Sequence, residues 1–288
     1  MYLNNKISII GGDLRLVNLA EMLVKDGKEI YNYGMENIEK NNTGVKCRSL
    51  SEAVSKSNII VAPIPLTSDG ITINSPFSNQ KILLKNLLNE CEGKTFITGA
   101  VKQEIYKLSE GKNIEIIDML KREELAVLNA ISTAEGAIKI IIEETLKTIH
   151  RSNILILGFG RIGKVLANHL KGMGANVSCE ARKNADLAWI KAYGYKPIPL
   201  EKLNDNLSNY DVIVNTIPYM VLDKNNLNKV DKNTLIIDLA SNPGGVDREE
   251  VKKQNIKFVW ALSLPGKVAP VTSAEYIKET IDNVLKEL

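Results

Sequence analysis

Histidine and cysteine are scarce in this sequence, and where the few stand excludes several chemistries at once. Three cysteines, Cys47, Cys91 and Cys179, are scattered over 288 residues. They are odd in number and lack the spacing of metal ligands, so no disulfide framework or zinc site is implied and the thiols read as reduced. No metal is expected. A strong charge of one sign is lacking too: a net charge of +3 is too small to argue for nucleic acid, although it permits anionic substrates. No apolar run approaches the roughly 18 residues of a membrane span, and the N-terminus enters a strand without the basic and apolar segments of a secretion signal. The expectation is a cytoplasmic protein with no membrane partner. Repeats and low-complexity tracts are absent. What remains, 44% hydrophobic and 25% charged residues, is the composition of a globular chain long enough for two domains.

Against that background one stretch stands out. Ile154-Leu-Ile-Leu157 reads as a buried parallel strand, runs into Gly158-Phe159-Gly160-Arg161-Ile162-Gly163, and continues as an amphipathic helix through Lys164–Lys171. This is G-x-G-x-x-G in the strand–turn–helix context that gives the motif meaning. The first glycine permits the tight turn, the second lets backbone approach a pyrophosphate, and the third lets the helix pack on the strand. Free N–H groups at the helix start then face the anion. These six residues are the expected phosphate cradle of a dinucleotide, the alternative being a Rossmann-type domain that has lost its ligand.

The end of the next strand, Ala175–Cys179, decides which nucleotide. An NAD enzyme places an acid there for the ribose 2′-hydroxyl. At the expected distance from Gly158 stands Ala181, while Glu180 is one residue early and so on the opposite face of a pleated strand. Arg182 and Lys183 follow at once. Two cations in place of a carboxylate suit a 2′-phosphate, so NADP is favoured over NAD. The competing reading has Arg182 and Lys183 solvating a turn and Glu180 facing the ribose.

Taken in order, Lys6–Ile10, the Gly11-Gly12-Asp13 turn and the pattern Leu14, Val17, Leu19, Met22, Leu23 make a first strand, turn and helix. The turn lacks the third glycine, and Asp13 would repel phosphate, which frees Arg15 to face a substrate. Strands are expected at 29–33, 58–62, 95–98 and 114–118, with helices near 51–56, 81–89 and 102–109. Strands alternating with helices mean a doubly wound parallel sheet. Pro63–Gly70 and Gly99–Lys102 follow strand ends, the edge where such folds bind ligands. A long helix is expected over 131–150, with Ser132 and Glu135 able to form a capping box at its start. Further strands end at Asn215, Asp238 and Trp260, and each feeds a loop: Thr216-Ile217-Pro218, Ser241–Gly245 and Leu264–Pro270. The expected plan is therefore α/β, two doubly wound parallel-sheet domains joined by a long helix. The first covers 1–130, the second, a Rossmann NADP-binding domain, covers 151–271, and a C-terminal helix over 272–288 can cross back onto the first.

The Gly11–Arg15 opening, Thr133–Gly136, Leu157–Gly163, Asn215–Pro218, Asp238–Gly245 and Leu264–Pro270 together resemble the family of dipicolinate synthase A subunits, over nearly the whole chain. The Asp238–Gly245 stretch combined with Leu264–Pro270 is the most specific part. The resemblance implies an NADP-dependent oxidation of dihydrodipicolinate to dipicolinate during sporulation, in the mother cell, with a partner that is a flavoprotein-like B subunit. A homo-oligomer is compatible with it. The sequence departs from the family pattern at Ser132, where proline is usual, and at Val271-Thr-Ser, where Lys-Thr-Ala is usual.

The histidine count separates relatives with this plan. D-2-hydroxyacid dehydrogenases use a histidine acid/base after a late cofactor-domain strand, whereas His150 here precedes the fingerprint strand and His169 lies inside the following helix. Dihydropyridine oxidation needs less, since a carboxylate or water can take the ring proton. Glu135 and Lys267 are the catalytic candidates. A dicarboxylate substrate requires cations and donors, because burying each charge unpaired costs several kcal/mol. Arg15 and Lys267, with Thr133, Ser241 and Asn242 as neutral donors, are expected to supply them from loops of both sheets. Two other readings remain open: a reductase resembling shikimate dehydrogenase, which would need a Lys102–Asp118 pair, and a non-enzymatic module that senses NADP(H).

Overall fold

The computed structural model describes residues 5–39 and 42–288. The chain divides into two compact units, Met1–Leu128 with Ala269–Leu288, and Asn129–Val268.

The first unit contains β1 (Lys6–Ile10), α1 (Leu14–Lys25), β2 (Glu29–Tyr33), β3 (Val45–Lys46), α2 (Leu50–Ser55), β4 (Ile59–Val61), α3 (Leu84–Glu90), β5 (Thr95–Thr98), α4 (Gln103–Ser109) and β6 (Glu115–Asp118). Its six strands are all parallel, in the order β3-β2-β1-β4-β5-β6. Ile7 and Ile9 face one core with Leu16, Leu19 and Leu23 of α1, while Ile10 and Ile60 face another with Leu84 and Leu87. This two-sided burial is what a parallel sheet wrapped by helices demands.

Helix α5 (Glu123–Glu144) carries the chain across the boundary at Leu128 and Asn129. It begins well before Ser132, with Glu123 and Glu124 in its first turn, so the capping box expected at Ser132 and Glu135 does not form. Both residues are helix-interior, and Ser132 is buried. The sequence has no apolar run near the length of a membrane span, and α5 is the one helix among the described residues that comes close by length and composition. Its 22 residues include an 18-residue window of mean hydropathy 1.6, long and apolar enough by length and composition. Ala134, Ala137 and Ile141 are nevertheless packed into the core of the second unit, which makes α5 a core helix.

The second unit continues with β7 (Asn153–Leu157), α6 (Arg161–Gly172), β8 (Asn176–Ala181), α7 (Asn184–Ala192), β9 (Lys196–Pro199), β10 (Val212–Asn215), α8 (Lys224–Leu227), β11 (Leu235–Asp238), α9 (Arg248–Lys253), β12 (Lys257–Trp260) and α10 (Leu264–Val268). Its sheet, β9-β8-β7-β10-β11-β12, is parallel throughout and has the same doubly wound order as the first. The fold is thus the expected pair of Rossmann-type α/β units. Two strands escaped the sequence. β3 is two exposed residues, and β9 carries Pro197 and Pro199, which a sheet tolerates here because β9 is an edge strand. The last helix, α11 (Pro270–Glu287), belongs to the first unit, where Ala274, Ile277, Ile281 and Val284 join the α1 core. Arg122 grips its end through two 2.6 Å bonds to the Glu287 carboxylate.

Candidate functional site

The three fingerprint glycines meet three different demands. Gly158 has φ +91°, and a side chain there would press on Thr216 Oγ1 and Ile217 Cγ1 at 2.7 and 2.8 Å. At Gly163 a Cβ would collide with the Gly158 carbonyl, so this glycine sets how closely α6 packs on the turn. Gly160 has nothing within 4 Å of a Cβ position. It is also the N-cap of α6 and offers no side-chain cap, leaving first-turn N–H groups such as those of Ile162 and Gly163 to be met by an external acceptor. Phe159 is buried, with the Lys164 ammonium 5.6 Å from its ring. Turn, open backbone and close packing are together what a dinucleotide pyrophosphate requires.

The matching turn of the first unit is closed. Asp13 caps α1 by accepting from the Arg15 N–H at 3.0 Å, and its carboxylate accepts from the Arg15 guanidinium at 2.8–3.1 Å. An internal anion thus occupies the place where a phosphate would sit. Arg15, expected to face substrate, is buried and engaged by Asp13 and the Ile64 carbonyl. Asp118 likewise accepts from the N–H groups of Ala100, Val101 and Leu120 at 3.0–3.1 Å. No ion pair joins it to exposed Lys102 among the described residues, so the Lys–Asp pair of a shikimate-dehydrogenase-like reaction does not form.

At the end of β8, Ala181 is buried among the residues that pack with α6, while Arg182 and Lys183 are exposed. Glu180 pairs in register with Leu157 and Ile198 and shares their face of the sheet, opposite Ala181. Its carboxylate accepts from the Gly158 N–H at 3.2 Å, and its other oxygen is buried without a partner. Burial pushes the Glu180 carboxyl above the usual range, opposed by the Gly158 N–H and by Arg182.

The loops after β10 and β11 are fastened by two residues that the sequence pattern did not single out. The Asn215 side-chain amide bonds both the N–H and the carbonyl of Ile217, at 3.1 and 2.9 Å, and donates to Asp238 Oδ1 at 2.8 Å. Asp238 also accepts from the N–H groups of Ala240 and Gly245 at 3.0 and 2.8 Å. A side chain on Gly244 would run into Asp238, and one on Gly245 into Asn215, which is why two glycines follow Pro243. The advance signals were a polar residue closing each of two apolar strands and the place of both residues in the Asn215–Pro218 and Asp238–Gly245 stretches. Thr216 donates its hydroxyl to the Leu157 carbonyl at 2.9 Å, tying this loop to the fingerprint strand. Trp260 Nε1 donates to the Ala240 carbonyl at 3.1 Å, and the Arg248 guanidinium lies 4.2 Å from its ring.

The cofactor candidates therefore gather at one sheet edge, with Gly158 against Thr216 and Ile217 and Ala181 at the neighbouring strand end. Ser241 and Asn242 are exposed on the loop that Asp238 fastens. Lys267, expected in a loop, is exposed on the five-residue helix α10, whose Leu264 packs against Gly136 of α5. Glu135 is exposed on α5, and Thr133 donates to the Asn129 carbonyl at 2.8 Å. Among the described residues no group of three His, Cys, Asp or Glu stands ready to hold a metal ion. The cysteines are free and buried, with the Cys91 and Cys179 thiols pushed up to about 12 by burial.

Two doubly wound units, one with an open three-glycine turn, have the dinucleotide-binding Rossmann architecture, and the match of residues 132–252 to the NAD binding domain of the D-isomer specific 2-hydroxyacid dehydrogenases supports a nicotinamide-dinucleotide oxidoreductase. Residues 6–120 match the N-terminal domain of the dipicolinate synthase A subunit. The dipicolinate synthase A subunit of Bacillus subtilis is 32% identical over 98% of this chain and 96% of its own. The crystal structure of that protein superposes with a TM-score of 0.88, covering 98% of this chain and 96% of that one. The structure of the dipicolinate synthase A subunit from Bacillus halodurans, 30% identical and covering 99% of both chains, superposes with a TM-score of 0.92. The chain belongs to the dipicolinate synthase A-subunit family.

Proposed function

We propose that this chain oxidises dihydrodipicolinate to dipicolinate, pyridine-2,6-dicarboxylate, with NADP+, together with a flavoprotein-like B subunit in the cytoplasm of a sporulating cell. The observation that carries the reading is the 32% identity, over nearly the full length of both chains, to a dipicolinate synthase A subunit. When bound, the nicotinamide would accept a hydride from a ring carbon of the substrate. The uncapped start of α6 would hold the pyrophosphate, and Ala181 stands at the end of β8 where an NAD enzyme places its ribose acid. Exposed Arg182 and Lys183 supply a guanidinium fork and a point charge for a 2′-phosphate.

On the substrate side we assign Lys267, Ser241 and Asn242 to the carboxylates, with Thr133 once its hydroxyl turns from the Asn129 carbonyl, and exposed Glu135 to the ring proton that leaves as the ring becomes aromatic. Arg15 already has Asp13 as a partner, which makes it the weakest of the substrate candidates. Calorimetric titration with NADP+ and NAD+ tests the cofactor, with tighter NADP+ expected and tighter NAD+ opposing the choice. Assay of the chain with and without a second polypeptide tests the partner, and full turnover alone would make that partner accessory.

A further inference from the structure

Asp238 is 1% exposed and closes β11 beneath the Ser241–Gly245 loop. Three donors converge on its carboxylate: the Asn215 amide and the N–H groups of Ala240 and Gly245. None is a cation, and no ion pair reaches Asp238 among the described residues. Its hydrogen bonds are satisfied by neutral donors, and the cation nearest this loop, Arg248, lies on the Trp260 ring instead of on the carboxylate. An asparagine would hold these loops less well, since its NH2 would have to face a backbone N–H, so the geometry selects the acid and with it a buried negative charge.

Where that charge stands is significant. In the doubly wound order, the two halves of the sheet each carry one mononucleotide. Arg182 and Lys183 at the end of β8 assign the phosphorylated adenosine to the β7–β9 half. The β10–β12 half, which ends in Asn215, Asp238 and Trp260, is left to the nicotinamide. The ring carries a positive charge when oxidised and none when reduced, and a fixed anion in a poorly solvated place distinguishes the two by Coulomb attraction.

We propose that Asp238, held in place by Asn215, poises the nucleotide site toward the oxidised, cationic nicotinamide, so that reduced nucleotide is readily exchanged for oxidised. The inference rests on the dinucleotide reading above. It is tested by calorimetric titration of the chain and of Asp238→Asn with NADP+ and NADPH separately. The unaltered chain is expected to bind NADP+ at least as tightly as NADPH, and Asp238→Asn to lose about tenfold more affinity for NADP+ than for NADPH. A role confined to loop structure would weaken both forms alike, so equal losses overturn the proposal. Should Asp238→Asn not fold, the unaltered chain decides: tighter binding of NADPH than of NADP+ overturns it. No binding of either form would instead refute the dinucleotide reading itself, and this proposal with it.

Discussion

Glu180 accepts a hydrogen bond from the backbone N–H of Gly158, 3.2 Å away, although its strand position puts it on the sheet face opposite Ala181. An acid therefore reaches the fingerprint turn. One of its oxygens is buried without a partner, and burial holds the carboxyl pKa above its ordinary value. The neutral form is then the one the fold favours. Its stabilising contribution is complete below the ordinary carboxylate range and is lost as pH rises through the raised value, at about 1.4 kcal/mol for each unit by which the pKa is raised. Glu180→Gln removes that loss. Its unfolding free energy, measured in urea, should gain on the unaltered chain as pH rises through this window, whereas a pH-independent difference would show that Glu180 titrates normally.

Arg182 is exposed beside buried Ala181, and its proposed partner is a phosphate that NAD+ lacks. Arg182→Ala should weaken NADP+ by about 1.5–3 kcal/mol, the scale of a hydrogen bond to a charged group, and leave NAD+ nearly unchanged. Equal losses in a binding titration would refute a 2′-phosphate contact.

Gly160 and Gly163 separate ligand from fold. A methyl group on Gly160 meets open space and costs about 1 kcal/mol or less as an altered N-cap, yet it should sharply reduce nucleotide affinity. On Gly163 it meets the Gly158 carbonyl, and overpacking should cost about 1–3 kcal/mol. Denaturation and nucleotide titration of Gly160→Ala and Gly163→Ala check both halves. Nucleotide affinity unchanged in Gly160→Ala would move the pyrophosphate elsewhere.

The architecture was legible in the sequence because its signal is local. Short apolar strands alternate with amphipathic helices, and a glycine triplet stands where one strand turns into a helix. β3 and β9 were not legible, one being too short for any pattern and the other carrying prolines that only its edge position excuses. Asn215 and Asp238 were missed for a different reason. They are far apart in sequence and become a pair only through the register of β10 on β11, which no local pattern contains. The engagement of Arg15 by Asp13 was not legible, because the same carboxylate reads in the sequence only as a repellent for phosphate and its pairing two residues on depends on the turn geometry.

That partnership separates stability from substrate binding. Arg15→Met removes the guanidinium from Asp13 and the Ile64 carbonyl and should lower stability by about 1–3 kcal/mol. Lys267→Met, on an exposed position, should leave stability within about 0.5 kcal/mol while raising KM for dihydrodipicolinate or lowering kcat, with NADP+ affinity intact. Unaltered kinetics in Lys267→Met would remove it from the site. Unaltered stability with a raised KM in Arg15→Met would restore Arg15 to the substrate.

The most direct measurement follows the absorbance of reduced nicotinamide while this chain is incubated with the proposed B subunit, dihydrodipicolinate and NADP+. The expected result is growth of the reduced band in step with dipicolinate, one nucleotide for each ring made aromatic, and loss of both signals when this chain is omitted. Dipicolinate forming at the same rate without this chain, or no reduced nucleotide from a chain that demonstrably binds NADP+, would contradict the proposed oxidation.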